Sequence, residues 1–200
     1  MSAPDNKHRS HLPMPNTEKP KFIAYDAKDP NSKFPPIPQL RPPGGAPNVL
    51  IVLIDDAGFG SSSAFGGPCQ TPNAEKLATG GLKLNRFHTT ALCSPTRQAL
   101  LTGRNHHSAG MGGITEIATG APGYSSVRPN SMAPLATTLK LNGYNTAMFG
   151  KCHEVPVWQT SPVGPFDAWP AGGGGFEYFY GFIGGEANQW YPSLYEGTTP

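Results

Sequence analysis

The chain has 200 residues, a formal net charge of +2, and 25 glycines with 23 prolines. That length fits one ordinary domain, and the weak charge without a basic run excludes a typical nucleic-acid-binding module. No apolar stretch reaches the roughly 20 residues that a membrane span needs. The N-terminus also lacks the apolar segment of a secretory signal peptide, so we expect a cytoplasmic protein that contacts neither membrane nor nucleic acid.

The chain divides by composition near residue 47. Residues 1–46 are rich in proline and have almost no periodic apolar pattern, which predicts an extended arm. Residues 47–200 carry the regular patterns of a folded domain. The three cysteines are widely spaced and odd in number, which excludes a disulfide framework and leaves each one as an individual thiol.

An apolar run predicts a buried strand at the start of the domain. Val49–Ile54 is a continuous β-branched and leucine sequence, typical of a strand covered on both faces of a parallel sheet. It ends at Asp55 and Asp56, where open α/β sheets place their sites. Adjacent carboxylates there favour a bound cation, and their hard oxygens favour Ca²⁺ or Mg²⁺. The alternative is a turn in which the Asp side chains bond the local backbone.

Two elements lie between this run and the next polar site. The segment Thr71–Ala78 predicts a helix, with Thr71 as its cap and Pro72 at the first helical position. The segment Leu82–Phe87 alternates apolar and polar residues and predicts a second strand.

The next helix places a thiol beside an anion site. Ser94 can cap its first turn, Pro95 suits the first helical position, and Gly103 supplies a stop. Cys93 then lies at the helix N-terminus, where free N–H groups and the helix dipole favour negative charge. Arg97 follows Cys93 by about one helical turn, so its guanidinium can return to the same anion site.

A helix followed by a strand repeats this arrangement further along. Pro134–Leu141 predicts a short helix, and Tyr144–Phe149 predicts a strand that ends at the sequence Gly-Lys-Cys-His. In an extended segment Lys151 and His153 share a face, so a cation and a proton-transfer group could reach one ligand together. A surface Lys and His in a loop is the simpler alternative. Together these elements predict an α/β fold with a mostly parallel sheet flanked by helices.

Several of these stretches resemble one enzyme family. The sequence Cys93-Ser94-Pro95-Thr96-Arg97, followed by Thr102-Gly103-Arg104, resembles the signature of the sulfatases. The Thr-Pro-Asn start of the predicted helix at residue 71 and the Phe-His-Thr stretch before the cysteine are also similar to that family. The family usually reads Gly-Lys-Trp-His where this chain has Cys152 in third place. We expect that departure to alter local packing more than chemistry, although a second thiol beside the site could be redox-sensitive.

The resemblance implies a fold, a cofactor and roles for six residues. The fold would be the alkaline-phosphatase-like sheet, with Asp55, Asp56 and residue 93 holding a divalent ion, usually Ca²⁺, with Mg²⁺ as the alternative. Cys93 would be oxidised by a formylglycine-generating enzyme to formylglycine, whose hydrated aldehyde attacks the sulfur of a small sulfate ester. Arg97 and Lys151 would stabilise charge on the transferring group, and Lys151 and His153 would contact the sulfate.

The resemblance covers residues 47 to about 190 and matches only the first part of the family's catalytic domain. The later part normally supplies further metal ligands, another His and another Lys. We therefore expect the chain to be the N-terminal portion of an arylsulfatase, inactive without the C-terminal remainder as its partner. Two alternatives stay open: a phosphate or phosphonate ester hydrolase of the same superfamily, and a non-catalytic metal- or anion-binding fragment.

Overall fold

The computed structural model describes residues 24–32 and 40–200, so most of the predicted extended arm lies outside the described residues. Packing of the Cα atoms divides the chain into two units, Met1–Asn48 and Val49–Pro200. The described part of the first unit consists of short turns. In one of them Asp29 N donates to the Asp26 carbonyl, and in another Ala46 N donates to the Pro43 carbonyl.

The second unit contains helices and a small sheet in the described part of the chain. The helices are α1 (Pro72–Gly80), α2 (Cys93–Thr102) and α3 (Leu135–Leu141), and the strands are β1 (Ala147–Lys151), β2 (Tyr178–Phe182) and β3 (Tyr195–Glu196). Short 3-10 turns occur at Ser63–Phe65, Thr115–Ile117 and Val157–Gln159. No helix among the described residues is long and apolar enough to cross a membrane.

The sheet is mixed and has the order β1-β2-β3. Strands β1 and β2 run parallel, with Ala147 opposite Tyr178 and Lys151 opposite Phe182. Strand β3 pairs with β2 in the antiparallel sense. Gly181 is needed in β2 because a Cβ there would collide with the Gly150 carbonyl of β1. The parallel pair agrees with the predicted α/β class, and the sheet as a whole is a small mixed one.

The core lies behind β1 and β2. Its buried members are Cys152, Val155, Trp169, Phe179 and Ile183. The Trp169 indole donates to the Gln159 carbonyl at 2.6 Å, so its one polar atom is satisfied. This packing fixes the chain that follows β1, and with it the residues on either side of Cys152.

The predicted strands at Val49–Ile54 and Leu82–Phe87 are not formed, and both predictions are wrong for this structure. The apolar side chains of Val49–Ile54 are 42% to 87% exposed. A strand exists through its ladder of hydrogen bonds to a neighbour. No strand among residues 24–32 and 40–200 pairs with either segment, so their β-forming composition finds nothing to pair with or pack against.

The predicted helices agree with the structure better than the predicted strands do. Helix α1 starts at Pro72 and α3 ends before Asn142, as predicted. Gly103 ends α2 with φ of 64° and donates its N–H to the Ala99 carbonyl. Helix α2 nevertheless starts two residues earlier than expected, because Leu92 is the cap and Cys93 is the first helical residue. Pro95 is therefore the third helical residue, still within the first turn, where its missing N–H has no intrahelical partner to lose.

Candidate active site

Arg97 lies at the centre of the predicted site. It sits one turn into α2 and is 7% exposed. Its Nη1 donates to the Lys151 carbonyl at 2.7 Å, and its Nη2 donates to Asp55 Oδ1 at 3.3 Å. Helix α2 is thereby joined both to the end of β1 and to the segment that follows Val49–Ile54.

A second positively charged side chain, that of Lys151, contacts Asp55. Lys151, the last residue of β1, places Nζ 2.5 Å from Asp55 Oδ2. Burial opposes ionisation of Asp55, but the hydrogen bonds and charges of Lys151 and Arg97 outweigh it and hold the pKa of this carboxyl below its ordinary value. The structure therefore brings together three of the predicted residues: Asp55, Arg97 and Lys151. The two cations share one carboxylate, which is the arrangement that a bound oxyanion would require.

Asp56 and Cys93 take no part in this cluster of hydrogen bonds. Neither side chain bonds to another residue within the described part of the chain. Asp56 has a φ of 52°, a left-handed conformation that Asp adopts more readily than most residues. Cys93 is half-buried as the first residue of α2.

Asp55 and Asp56 offer the type of ligand atom that a divalent cation binds, but too few of them to complete its coordination. Hard oxygens are the ligands of Ca²⁺ and Mg²⁺, but Ca²⁺ takes about six to eight of them. Both oxygens of Asp55 already accept hydrogen bonds from cations. Across residues 24–32 and 40–200, no three His, Cys, Asp or Glu residues are grouped so that they could hold a metal ion. Asp55 and Asp56 can therefore supply only part of a coordination shell.

His153 lies apart from the Asp55 cluster and has a different partner. The residue is 2% exposed, and its Nε2 atom lies 2.8 Å and 3.0 Å from the two carboxylate oxygens of Glu116. The expectation that Lys151 and His153 share a face assumed an extended chain. His153 has a φ of 55°, which ends the strand geometry and sends the two side chains to different acids.

Glu116 is a residue that the sequence reasoning missed. It lies on the 3-10 turn Thr115–Ile117, inside a Gly- and Ser-rich stretch that reads as a loop. The loop is in fact well packed, since Ala109, Met111 and Thr115 are buried. The only sequence signal was an acid in a stretch otherwise poor in charge, and that does not identify its partner 37 positions away.

Glu154 and Cys152 flank His153, and each places a titratable atom out of contact with water. The Glu154 Oε1 atom is buried without a partner in the described residues. Burial raises the pKa of Glu154 to about 8, against the opposing charges of Arg128 and Arg97. Burial also raises the pKa of the Cys152 thiol, and the side chain belongs to the core. The expectation that Cys152 affects packing more than chemistry agrees with this position in the core. The alternative of a redox-sensitive thiol is disfavoured, because oxidation requires an accessible thiolate.

Comparison with known proteins identifies the family. The family model for sulfatases matches residues 47–200. The chain belongs to the sulfatase family. An uncharacterized sulfatase of Schizosaccharomyces pombe is 38% identical over 161 residues, covering 74% of this chain and 29% of its own length. The arylsulfatase of Klebsiella aerogenes is 32% identical over 154 residues, covering 76% of this chain and 31% of its own.

A further curated relative and a solved structure show the same pattern of partial coverage. Human steryl-sulfatase is 35% identical over 146 residues, covering 68% of this chain and 23% of its own length. The chain thus spans between 23% and 31% of these curated relatives. Among solved structures, that of Ps i-CgsB is 31% identical with a TM-score of 0.37, covering 48% of this chain and 19% of its own. The predicted membership of the sulfatase family is confirmed.

Proposed function

We propose that this sulfatase-family chain provides the nucleophile and the sulfate-binding cations of an arylsulfatase-type sulfate ester hydrolase. The observation that carries the proposal is that Arg97 and Lys151 direct their N–H groups at the same carboxylate. A sulfate group offers its oxygens to the same donors in the same way. The family membership and the arylsulfatase of Klebsiella aerogenes among its relatives support a sulfate ester as substrate.

The two cations would stabilise charge that builds on the sulfate during transfer. Lys151 ends a strand, and Arg97 is fixed by the Lys151 carbonyl, so both are held before the substrate arrives. The Arg97 Nε atom is buried without a partner in the described residues, so its N–H is available to donate to a sulfate oxygen. Preorganised donors of this kind lower the barrier without having to reorganise during the reaction.

Cys93 is the residue that we propose carries the nucleophile after its conversion to formylglycine by a formylglycine-generating enzyme. The hydrated aldehyde supplies one hydroxyl for attack and a second through which sulfate is released. The chain's contribution is placement: residue 93 begins α2, where unbonded N–H groups and the helix dipole favour an anion. Arg97 lies one turn further along the same helix, and His153 would bind the sulfate or hold a proton.

Asp55 and Asp56 would hold part of a divalent cation, Ca²⁺ or Mg²⁺, and residue 93 would add a ligand after modification. When bound, the ion would polarise the sulfate oxygens. The remaining ligands would come from the part of the catalytic domain that these longer relatives possess. We expect this chain to bind Ca²⁺ only in about the millimolar range, the weak end of known protein sites. Calorimetric titration measures this, with Asp56→Asn as the variant that should abolish the heat.

A non-catalytic role in anion binding is the second candidate, since the described residues hold no complete group of metal ligands. Paired assays separate the candidates. The chain is extended by the C-terminal part of the catalytic domain that its longer relatives possess, co-expressed with a formylglycine-generating enzyme, and given 4-nitrophenyl sulfate and a 4-nitrophenyl phosphonate ester. Faster release of nitrophenol from the sulfate, lost in Cys93→Ala, supports the sulfatase proposal. Preference for the phosphonate would assign the chain to the other branch of the superfamily.

Binding of inorganic sulfate tests the cation site without any turnover. We expect Arg97→Ala and Lys151→Ala to weaken sulfate binding, whereas Lys76→Ala, an exposed cation on α1, should not. Sulfate binding with this pattern, together with no hydrolysis of either ester by the extended enzyme, would support the non-catalytic candidate. Equal affinity in all three variants would contradict the proposed site.

A further inference from the structure

In the pairing of His153 with Glu116, one imidazole nitrogen is hydrogen-bonded and the other has no partner in the described residues. Nε2 lies within 3.0 Å of both Glu116 carboxylate oxygens. Nδ1 is buried and has no partner among the described residues. A buried polar atom without a partner destabilises the fold, so its presence points to a catalytic role or to a ligand that completes its hydrogen bonding.

The charge of Glu116 determines which nitrogen carries the hydrogen. Burial opposes its ionisation, but the hydrogen bond with His153 and local backbone and charge effects hold the pKa of this carboxyl below its ordinary value. An ionised carboxylate can only accept hydrogen bonds. Nε2 must therefore be the protonated nitrogen, and in the neutral ring Nδ1 is left with the lone pair.

The backbone around the pair allows little movement of the ring. The His153 N–H donates to the Ile183 carbonyl at 3.1 Å, which ties the residue to the chain after β2. Two residues on, Gly185 lies directly against the imidazole. A Cβ on Gly185 would lie 2.7 Å from His153 Cε1 and 2.8 Å from Nε2. At neighbouring Gly184 the nearest heavy atom would be 3.9 Å away, so a methyl group fits there.

We propose that Glu116 is a positioning residue for His153, which holds the ring hydrogen at Nε2 and reserves Nδ1 for the sulfate group. The role rests on the proposed function, since it requires a sulfate group at this site. In the cationic ring Nδ1 donates to a sulfate oxygen, and in the neutral ring it accepts a proton. Nδ1 is buried and unpartnered in the described residues, and a bound sulfate oxygen would supply the partner that it lacks.

Nuclear magnetic resonance of the ring nitrogens tests the positioning directly. The chain is labelled with ¹⁵N-histidine, and the His153 signals are assigned by their loss in His153→Asn. We expect a protonated-type Nε2 signal and a lone-pair-type Nδ1 signal in the wild type and in Gly184→Ala. Glu116→Ala should give mixed tautomers, because the acceptor is gone. Gly185→Ala should do the same by displacing the ring, although it leaves the carboxylate in place. Glu116→Gln should keep the tautomer through its amide oxygen.

Titration with inorganic sulfate connects the tautomer to function. We expect Glu116→Ala and Gly185→Ala to weaken sulfate binding by about five- to tenfold, which corresponds to the loss of about one ordinary hydrogen bond. Gly184→Ala should bind as the wild type does. A His153 spectrum that Glu116→Ala leaves unchanged would overturn the proposal.

One outcome separates this proposal from the proposed function. If the tautomer shifts while sulfate affinity stays constant, Glu116 does not position His153 for sulfate, and the inference fails. If Arg97→Ala still weakens sulfate binding in that case, the cation site and the proposed function survive. If Arg97→Ala also has no effect, both fail together.

Discussion

Lys151 and Asp55 are 96 residues apart in the chain, yet Lys151 Nζ lies 2.5 Å from Asp55 Oδ2. Arg97 bonds to both residues, through the Lys151 carbonyl and the other Asp55 oxygen. One guanidinium and one carboxylate therefore connect the start of the domain, helix α2 and the end of β1. The same atoms that stabilise this junction are the ones proposed to meet the sulfate.

Removal of Arg97 should destabilise the fold. Arg97→Ala leaves the Lys151 carbonyl without its donor and Asp55 with one cation fewer, so the free energy of unfolding should fall by about 1–3 kcal/mol. Urea denaturation followed by tryptophan fluorescence measures the change. Lys76→Ala removes an exposed cation from α1 and should stay within about 0.5 kcal/mol of the wild type. Equal losses in the two variants would mean that Arg97 is not a structural anchor.

Acid should weaken the fold through Asp55 and Glu116. Both carboxyls have a pKa held below its ordinary value, by Lys151 and Arg97 in one case and mainly by His153 in the other. The stability they contribute is therefore complete above the unfolded-state pKa of about 4 and is lost as pH falls through the lower folded-state values. Urea midpoints measured from pH 7 down to about pH 2 should show this loss. Asp55→Asn and Glu116→Gln should flatten the profile, and an unchanged slope would contradict the account.

Glu154 should make the fold less stable as the pH rises, opposite to the effect of Asp55 and Glu116. Its pKa is raised to about 8, so its neutral form is the one that the fold accommodates. The contribution is complete below the unfolded-state value of about 4.3 and is lost as pH rises toward 8. Glu154→Gln is uncharged throughout, so its stability relative to the wild type should increase between about pH 5 and pH 8. A constant difference across that range would show that Glu154 ionises freely.

The three thiols should react at very different rates. Cys69 is exposed, Cys93 is half-buried, and Cys152 is buried with a raised pKa. Iodoacetamide should therefore label Cys69 first and Cys152 only when the chain unfolds. Peptide mass spectrometry over a time course gives the order. Rapid labelling of Cys152 in the folded chain would restore the redox role that its burial argues against.

The elements that the sequence predicts well are those specified by their own residues. Helix α1 has Pro72 at its start, α2 has Gly103 at its end, and α3 ends at Asn142. These signals act through local backbone geometry. Val49–Ile54 shows the limit of such reasoning. Its composition records a preference for burial in a sheet, but a strand also needs a neighbour, and the described residues provide none.

Some residues of the candidate site could also be predicted from the sequence, and others could not. Arg97 lies in the first half of α2 and Lys151 ends β1, and the sequence locates both elements to within a few residues. Asp55 instead follows an apolar run that forms no strand. The partner of His153 could not be predicted, because Glu116 comes from a packed irregular segment that has no periodic pattern. Glu154 is a further example, since its raised pKa arises from burial that only the tertiary structure creates.

The central claim is that residue 93 carries the nucleophile, and mass spectrometry of one tryptic peptide tests it most directly. Cleavage after Arg86 and Arg97 releases Phe87–Arg97, which contains Cys93. The chain is expressed with and without a formylglycine-generating enzyme, and peptides containing Cys69 and Cys152 serve as internal controls. We predict loss of H₂S with gain of one oxygen at Cys93 alone, and capture of the new aldehyde by a hydrazine reagent. A Cys93 thiol that stays intact beside an active modifying enzyme would contradict it.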